Sequence, residues 1–442
     1  MIRLNKYILF LIIFIAGSQV ANAQRRVLTL QECLEIAINN NLNVKQAGTT
    51  LMTDSINYKQ TRENLLPSLT GSVGRSLNQG RAVNPITNTY INQSLTSDSY
   101  GLNAGVTLFN GLALQNNIKQ ASLAYQAGKM DYQAAKDAVT VNIITGYLSI
   151  LDYEESLAQS KSALAVAKET LDRLEILEKE GNNKAASDIY DSRGIYASNQ
   201  VTVVTSQNSL DGAKLSLFQQ MNIPYNKDAE FQPLTAAELI GEYGVSPDQV
   251  YETALQQLPI VKSAILKRQS AEKYLKVEKG LLLPTLSLSG GLNTNYSSAS
   301  ENISYFDQFK NNYSSGLSLG LSVPIFTNHI KKNNIALAKI SLLNYQYVEE
   351  NTKIVLRQNV EQAYYNMSSA YKRYQVLLDE VKAYTESFRI SKIRFDAGVL
   401  TSVDFIISKN QLDAANLNLI SARYDYFIYS KVLDYYQGKL NL

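Results

Sequence analysis

Two periodicities alternate along this chain, and the whole series then occurs again. Thr29-Leu30-Gln31-Glu32 reads as a capping box, a hydroxyl and a carboxylate placed to satisfy the free backbone donors of a helix start. It predicts a helix running to about Asn64. Ser246-Pro247-Asp248-Gln249 has the same form, with proline at the first helical position, and predicts a helix to Gly280. After each helix the period drops to two. Leu69, Val73 and Leu77, then Tyr100, Leu102, Ala104, Val106 and Leu108, alternate with small polar residues. So do Leu286, Leu288, Leu292 and Tyr296, and then Leu317, Leu319, Leu321, Val323 and Ile325. This is the pattern of strands with one apolar and one polar face, the polar face made of Ser, Asn, Gly and Thr with little charge. Polar segments, roughly Gln79–Ser97 and Ser297–Asn312, separate the strands of each pair and are long for hairpin loops.

Long helical stretches follow. Residues 111–180 contain no proline and three glycines, and residues 329–397 contain neither. At ~1.5 Å per residue such a helix is roughly 105 Å long. Heptad spacing is visible in Ile118, Tyr125, Tyr132 and Val139, in Leu157, Leu164 and Leu171, in Tyr374, Val381, Phe388 and Phe395, and in Phe405, Leu412, Leu419, Tyr426 and Leu433. These periods predict packed, coiled helices. A second helix follows each long one, over 183–220 and 401–437. Taken end to end, the first helix and this last one match the length of one long helix.

The two series stand 217 positions apart: Pro67 matches Pro284, Val106 matches Val323, Tyr147 matches Tyr364 and Gly181 matches Gly398. The register holds without a gap from Val44 to Gly181, and after a one-residue slip Asp188 matches Asp404. The chain therefore reads as a tandem duplication. A leader would occupy 1–23. A first repeat, 24–220, would hold a helix, a hairpin over 65–110, a long helix over 111–180 and the helix 183–220. A linker would cover 221–245. A second repeat, 246–442, would hold a helix, a hairpin over 282–326, a long helix over 329–397 and the helix 401–437.

The leader assignment rests on Arg3 and Lys6, the short apolar run from Tyr7 to Ala16, and the small-x-small site Ala21-Asn22-Ala23. The run is well short of the ~20 residues that span a bilayer as a helix. The formal charge is +3, of which the leader supplies two, so no basic face points to nucleic acid. The single cysteine, Cys33, cannot form an internal disulfide and sits among apolar helix positions, which predicts a buried thiol. The single histidine, His329, excludes metal motifs and triads that need a second one, and no phosphate-binding loop or cofactor motif appears. Nothing in the chain reads as an enzyme.

Strands of about ten residues match the ~9–11 of a tilted membrane strand. A soluble sandwich would need about seven strands, where the pattern gives four. Four strands cannot close a barrel, and an open edge in lipid leaves unsatisfied backbone groups costing several kcal/mol each. Several copies must then share one barrel. Two would give eight strands, too narrow for an open lumen, and three would give twelve.

The duplication, the strand starts "LLPSL" and "LLPTL", the strand exits "VTLFNG" and "SVPIFTN", and "FDAGVLTSVDFI" after the second long helix together resemble the TolC family of outer membrane efflux factors, over essentially the whole chain after the leader. The resemblance implies a mixed α and β fold: a long coiled α-helical barrel with a transmembrane β-barrel completed by trimerisation, four strands per chain and twelve per trimer. It implies an outer membrane conduit with a long periplasmic part, with a periplasmic adaptor and an inner membrane pump as partners, and no cofactor. It places adaptor-facing tips at the helix turns, Gly181 and Asn182 in the first repeat and Gly398 and Val399 in the second. It places acidic pore rings at Asp404 and Asp188. Positions that hold polar gating groups in the best-known member carry Phe395, Leu400 and Ile407 here, so an apolar constriction stands beside the acidic rings as an alternative. Pro67 and Pro284 fall at the helix-to-strand junctions. Tyr100, Phe109, Tyr296, Tyr313 and Phe326, near strand ends, are candidates for aromatic belts against outer membrane lipid. The rival reading is a structural or adhesive coiled-coil protein of the envelope, which does not require duplicated hairpins of membrane height.

Overall fold

A computed structural model describes residues 27–83, 88–180, 186–234, 243–300 and 302–439. The leader, residues 1–23, and the turn residues Gly181 and Asn182 lie outside the described residues. The chain forms two compact units that cut across the repeat, one from residues 1–46, 133–258 and 355–442, the other from 47–132 and 259–354.

Helices of the second half sit 217 residues after those of the first, and the last helix 216 after, the one-residue slip read from the sequence. Helices α1 (Leu30–Asn40) and α2 (Leu42–Glu63) correspond to α5 (Pro247–Gln257) and α6 (Pro259–Gly280). The long helices α3 (Ala113–Lys179) and α8 (Ile330–Asp396) have 67 residues each, and α4 (Ala186–Gln220) and α9 (Ser402–Tyr436) have 35 each. The first helix of each half, expected to be continuous, is broken once, at Asn41 and at Leu258. Both residues are extended, with φ/ψ of −62°/125° and −67°/131°. Pro259 accounts for the second break, because the residue before a proline is pushed out of the helical region. Asn41 achieves the first with its side chain, whose Oδ1 accepts from the amides of Asn43 and Val44 and so caps α2.

The unit built from 47–132 and 259–354 carries a four-stranded antiparallel sheet in the order β2 (Ser68–Val83), β3 (Tyr90–Asn110), β5 (Thr285–Ser297), β6 (Ser314–Ser322). The polar segment 79–97 is mostly strand rather than loop: β2 and β3 stay paired out to Val83 and Tyr90. Backbone pairing needs no apolar side chain, and cross-strand contacts such as Ser76 to Ser97 (2.7 Å) and the Arg81 guanidinium over the Tyr90 ring continue the ribbon. The segment after β5 is not plain loop either, because it contains the short helix α7 (Tyr305–Asn311). At the other end, β3 bulges between Thr107 and Phe109 and reaches Asn110 alongside β5. Strand β6 stops at Ser322, short of the expected Val323 and Ile325, because its partner β5 begins opposite it at Thr285 and Pro324 follows. Pro324, two residues past the end of β6, occupies the position in the second repeat that Thr107 of β3 holds in the first.

In this unit the strand-to-helix turns have left-handed backbone at two successive residues, Gly111 and Leu112 in one repeat and Asn328 and His329 in the other. Gly111 also abuts Gly280 at the end of α6. A Cβ on Gly111 would lie 2.1 Å from the Gly280 carbonyl oxygen, so only glycine permits this approach.

In the other unit, β1 (Val27–Leu28) pairs in parallel with β4 (Glu230–Phe231), which lies within the segment expected as linker. The fully buried Tyr147 of α3 anchors this ribbon: its hydroxyl reaches the carbonyl oxygens of Leu28 (3.1 Å) and Gln232 (2.7 Å), with Phe231 edge-on to its ring. Cys33 of α1 is fully buried, and burial pushes its thiol up to about 12. The heptad positions Leu157, Leu171, Tyr374, Leu412, Tyr426 and Leu433 are buried, and Leu419 packs on Tyr374, Leu377 and Ala422.

Candidate functional site: the two-faced sheet and the helix turns

The sheet's register sorts its residues onto two faces. Arg75 lies opposite Asp98 and Asp98 opposite Tyr296; Val73 opposite Tyr100 and Tyr100 opposite Thr294. Leu69, Ala104, Gly290 and Leu317 make another row, and Leu288 lies opposite Leu319. With alternate residues pointing to opposite sides, these share one largely apolar face. The other face carries Ser68, Ser72, Ser99, Asn103, Ser289, Asn293 and Ser318, with glycines between them. Leu69, Val73, Leu317, Leu319 and Leu321 are all at least 65% exposed, so nothing in this unit buries the apolar face at these residues. An exposed apolar sheet backed by an uncharged polar one is the pattern of a barrel wall between lipid and water. Among the described residues, no helix is long and apolar enough to cross a membrane.

Pro67 and Pro284 each stand immediately before a strand, at Ser68 and Thr285, after the preceding helix has unwound through turn bonds. Proline stops the helix there, and a strand's first position tolerates its missing donor. Of the five aromatic candidates, Tyr100 and Tyr296 lie near the far end of the β3–β5 ladder, below the longer β2–β3 ribbon, and pack on α7: Tyr100 edge-on to Phe309, Tyr296 tilted against Tyr305. Tyr313 is 59% exposed at the start of β6. Phe109 and Phe326 lie at the helix-side end and are exposed, Phe326 edge-on to His329.

One feature of the apolar face is not legible in the pattern of the sequence. Asp98 sits on it, only 2% exposed, receiving two 2.7 Å bonds from the Arg75 guanidinium and a 3.2 Å bond from the Tyr305 hydroxyl. The Tyr305 hydroxyl is also hydrogen-bonded to that of Tyr100. Arg75 and Asp98 meet only because of the β2–β3 register, and Tyr305 reaches them only because α7 folds back over the sheet.

In the other unit, the turn after α8 is closed by Gly398, at φ +72°. The amide of Val399 donates to the Arg394 carbonyl (2.9 Å) and that of Gly398 to Phe395 (3.0 Å), the double bond of a glycine-terminated helix. Val399 is 70% exposed. Thr401 then caps α9, its hydroxyl oxygen accepting from the Asp404 amide at 3.1 Å. The same hydroxyl donates to the Asp404 carboxylate at 2.7 Å, and Asp404 is exposed. Asp188, in the first turn of α4, is half-buried and accepts from the Ser402 hydroxyl at 2.9 Å, tying the starts of α4 and α9 together.

Phe395 is half-buried, stacked on Phe405 with centroids 4.5 Å apart. The Arg173 guanidinium lies over its ring at 4.9 Å and donates to Asp396 at 2.6 Å. Leu400 is half-buried and Ile407 half exposed. The structure thus brings Asp188 to the α9 start beside Asp404, and turns Phe395 toward Phe405 and Arg173. Sequence reasoning missed Arg173 and Ser402, since each meets its partner only through the packing of helices far apart in the chain.

Comparison with known proteins places this geometry. The family described as "Outer membrane efflux protein" matches residues 33–222 and again residues 250–438. The toxin and drug export protein A of Aggregatibacter actinomycetemcomitans is 21% identical, over 93% of this chain and 87% of that one. The outer membrane protein TolC of Escherichia coli K12 is 22% identical, over 78% of this chain and 72% of that one. Among solved structures, the Campylobacter jejuni CmeC outer membrane channel superposes with a TM-score of 0.81 at 19% identity, over 93% of this chain and 86% of that one. The outer membrane protein VceC of Vibrio cholerae does so with 0.79 at 14% identity, over 92% and 96%. Matched twice along its length and folded as long helices with four antiparallel strands, the chain belongs to the TolC family of outer membrane efflux proteins.

Proposed function

We propose that three copies of this chain assemble into one outer membrane channel that passively conducts substrate outward. An inner membrane pump would deliver the substrate through a periplasmic adaptor in an efflux or type I secretion system. The observation that carries the reading is the four-stranded sheet with an exposed apolar face, an uncharged polar face and two unpaired outer edges. Edges β6 and β2 of neighbouring copies satisfy each other, and twelve strands enclose a lumen lined by the Ser, Asn and Gly face. The helix turns, Gly181 and Asn182 with Gly398 and Val399, are the surfaces offered to the adaptor.

Each carboxylate accepts one hydroxyl, but Asp404 is exposed whereas Asp188 is half-buried, which makes Asp404 the stronger candidate for a pore ring. Three exposed carboxylates at one level attract cations and slow their passage. Phe395, Leu400 and Ile407 make the apolar alternative, in which Ile407 is the most exposed of the three. Single-channel recording in planar bilayers tests both. The purified protein is expected to conduct, and Asp404→Ala to weaken block by multivalent cations while Ile407→Ser leaves that block in place. A conducting Asp404→Ala variant with unchanged cation block removes the acidic ring, and a protein that stays monomeric and silent removes the channel reading itself.

A further inference from the structure

We infer that helix α7 is a lipid-seated collar: it lies on the apolar face of the sheet and presents Phe306 to the outer leaflet of the membrane. This rests on the reading that the apolar face meets lipid, and extends it to a segment that is not part of the wall. Four observations carry it.

First, α7 is fixed to the apolar face and not to the polar one. Tyr305 bonds Asp98 and Tyr100, Phe309 packs edge-on to Tyr100, and the Thr294 hydroxyl donates to the Phe309 carbonyl at 2.6 Å. Asp98, Tyr100 and Thr294 are all residues of the apolar side by register.

Second, the attachment is specific and buried. Gln308, 3% exposed, accepts from the Ser297 amide (2.9 Å) and donates to the Ile303 carbonyl (3.1 Å). Asn312 donates to the Asn295 carbonyl at 2.7 Å. Ser304 caps the helix, accepting from the Asp307 amide at 3.2 Å.

Third, the exposed surface of this segment sets protruding apolar side chains beside the charged Asp307 and Lys310, the mixture that suits the head-group level of a membrane. Phe306 is 80% exposed and Ile303 48% exposed. Aromatic side chains at the level where the apolar wall ends are those that settle at a membrane interface.

Fourth, the collar covers the carboxylate on the lipid-facing wall, while its partner Arg75, 70% exposed, lies at the surface beside it. A carboxylate in the lipid-facing row would be costly there, and Tyr305 covers the one that the Arg75 pair leaves on that face. The first-repeat residues that match 307–311, residues 90–94, belong to strand β3, so among the described residues the collar belongs to the second hairpin alone.

The occupant of the exposed Phe306 side is thus the lipid continuous with the wall below it. The chain has no tryptophan, so Phe306→Trp supplies a sole fluorophore. Leu319→Trp, in the middle of β6 on the same apolar face, supplies a reference. Both variants, as full-length assembled protein, are reconstituted into phosphatidylcholine vesicles brominated either near the head group or deep in the acyl chain. The expected result is blue-shifted emission from Trp at position 306, lost in the shallow-brominated lipid and much less in the deep one, with the order reversed at position 319. Emission at position 306 that is red and lost to aqueous iodide places the helix in water and overturns the collar. Emission that is blue but insensitive to every quencher places it against another protein surface and overturns it equally. If position 319 also escapes lipid quenching, the membrane wall fails and not the collar alone.

Discussion

The internal repeat makes the seam between copies calculable. Within the chain, β3 of the first repeat pairs with β5 of the second, Ala104 opposite Gly290. The offset of 217 that relates the repeats also relates their hairpins: Leu69 opposite Ala104 becomes Leu286 opposite Leu321. Carrying the β3–β5 register across the same offset sets Leu321 of β6 opposite Val73 of β2 in the next copy. Both residues lie on the apolar face and are exposed, 66% and 77%, so replacing them disturbs no core. Directly opposed Cβ atoms lie about 4.5–5.5 Å apart, and a disulfide spans about 3.5–4.5 Å, which a small strand movement supplies. A slip of one residue moves the partner by ~3.4 Å and turns it to the other face.

In a Cys33→Ala background, the pair Val73→Cys with Leu321→Cys is expected to give reductant-sensitive dimer and trimer bands after oxidation in outer membranes. Gly74→Cys with Leu321→Cys is expected to give monomer. Stronger cross-linking in the slipped pair refutes the transferred register. Absence of cross-links in both, with the protein shown to be trimeric, refutes a β6–β2 seam.

Gly111→Ala is expected to lower thermal stability and trimer yield, because it adds a left-handed residue costing about 1–2 kcal/mol to a Cβ position 2.1 Å from the Gly280 oxygen. Gly194→Ala, in open space within α4, is expected to be neutral or stabilising by up to ~1 kcal/mol, and thermal melts of the two variants side by side check the contrast. Asp152 of α3 is pushed up to about 6 by burial and by the nearby carboxylates of Asp425 and Glu155. The folded state therefore binds this proton more tightly than the unfolded chain, and stability increases as pH falls from about 6 toward 4. Asp152→Asn is then expected to melt higher than the parent at pH 7, by at most about 3 kcal/mol, and to match it near pH 4. A variant that melts lower at pH 7 would show that the charged form is needed there.

The long elements were legible because their signals are local and repeated: caps at Thr29 and Ser246, prolines at Pro67 and Pro284, period two over the strands, and unbroken heptads. The breaks at Asn41 and Leu258 were missed although Pro259 marks one of them, because the flanking apolar pattern continues across both. Helix α7 was missed because seven residues give too short a window for periodicity. Its cap, Ser304 with Asp307, was the available signal. The turn at Gly398 falls where glycine marks it, but Arg173 over Phe395 and Ser402 on Asp188 depend on helix packing that no spacing encodes. The Arg75–Asp98 pair depends on a strand register that becomes readable only once both strands are known to extend beyond the apolar segment.

Pro324 has a consequence for the chain before it meets its partners. A newly exported copy carries a bare strand edge, an invitation to add any stray strand it encounters. Proline cannot donate to a ladder, so a strand added to β6 cannot extend its pairing unbroken past that residue. The legitimate neighbour escapes the obstacle if it meets the edge with the same bulge that β3 makes at Thr107, the position matching Pro324. Pro324 thus favours a bulged sibling strand over a flat one as the neighbour of this edge.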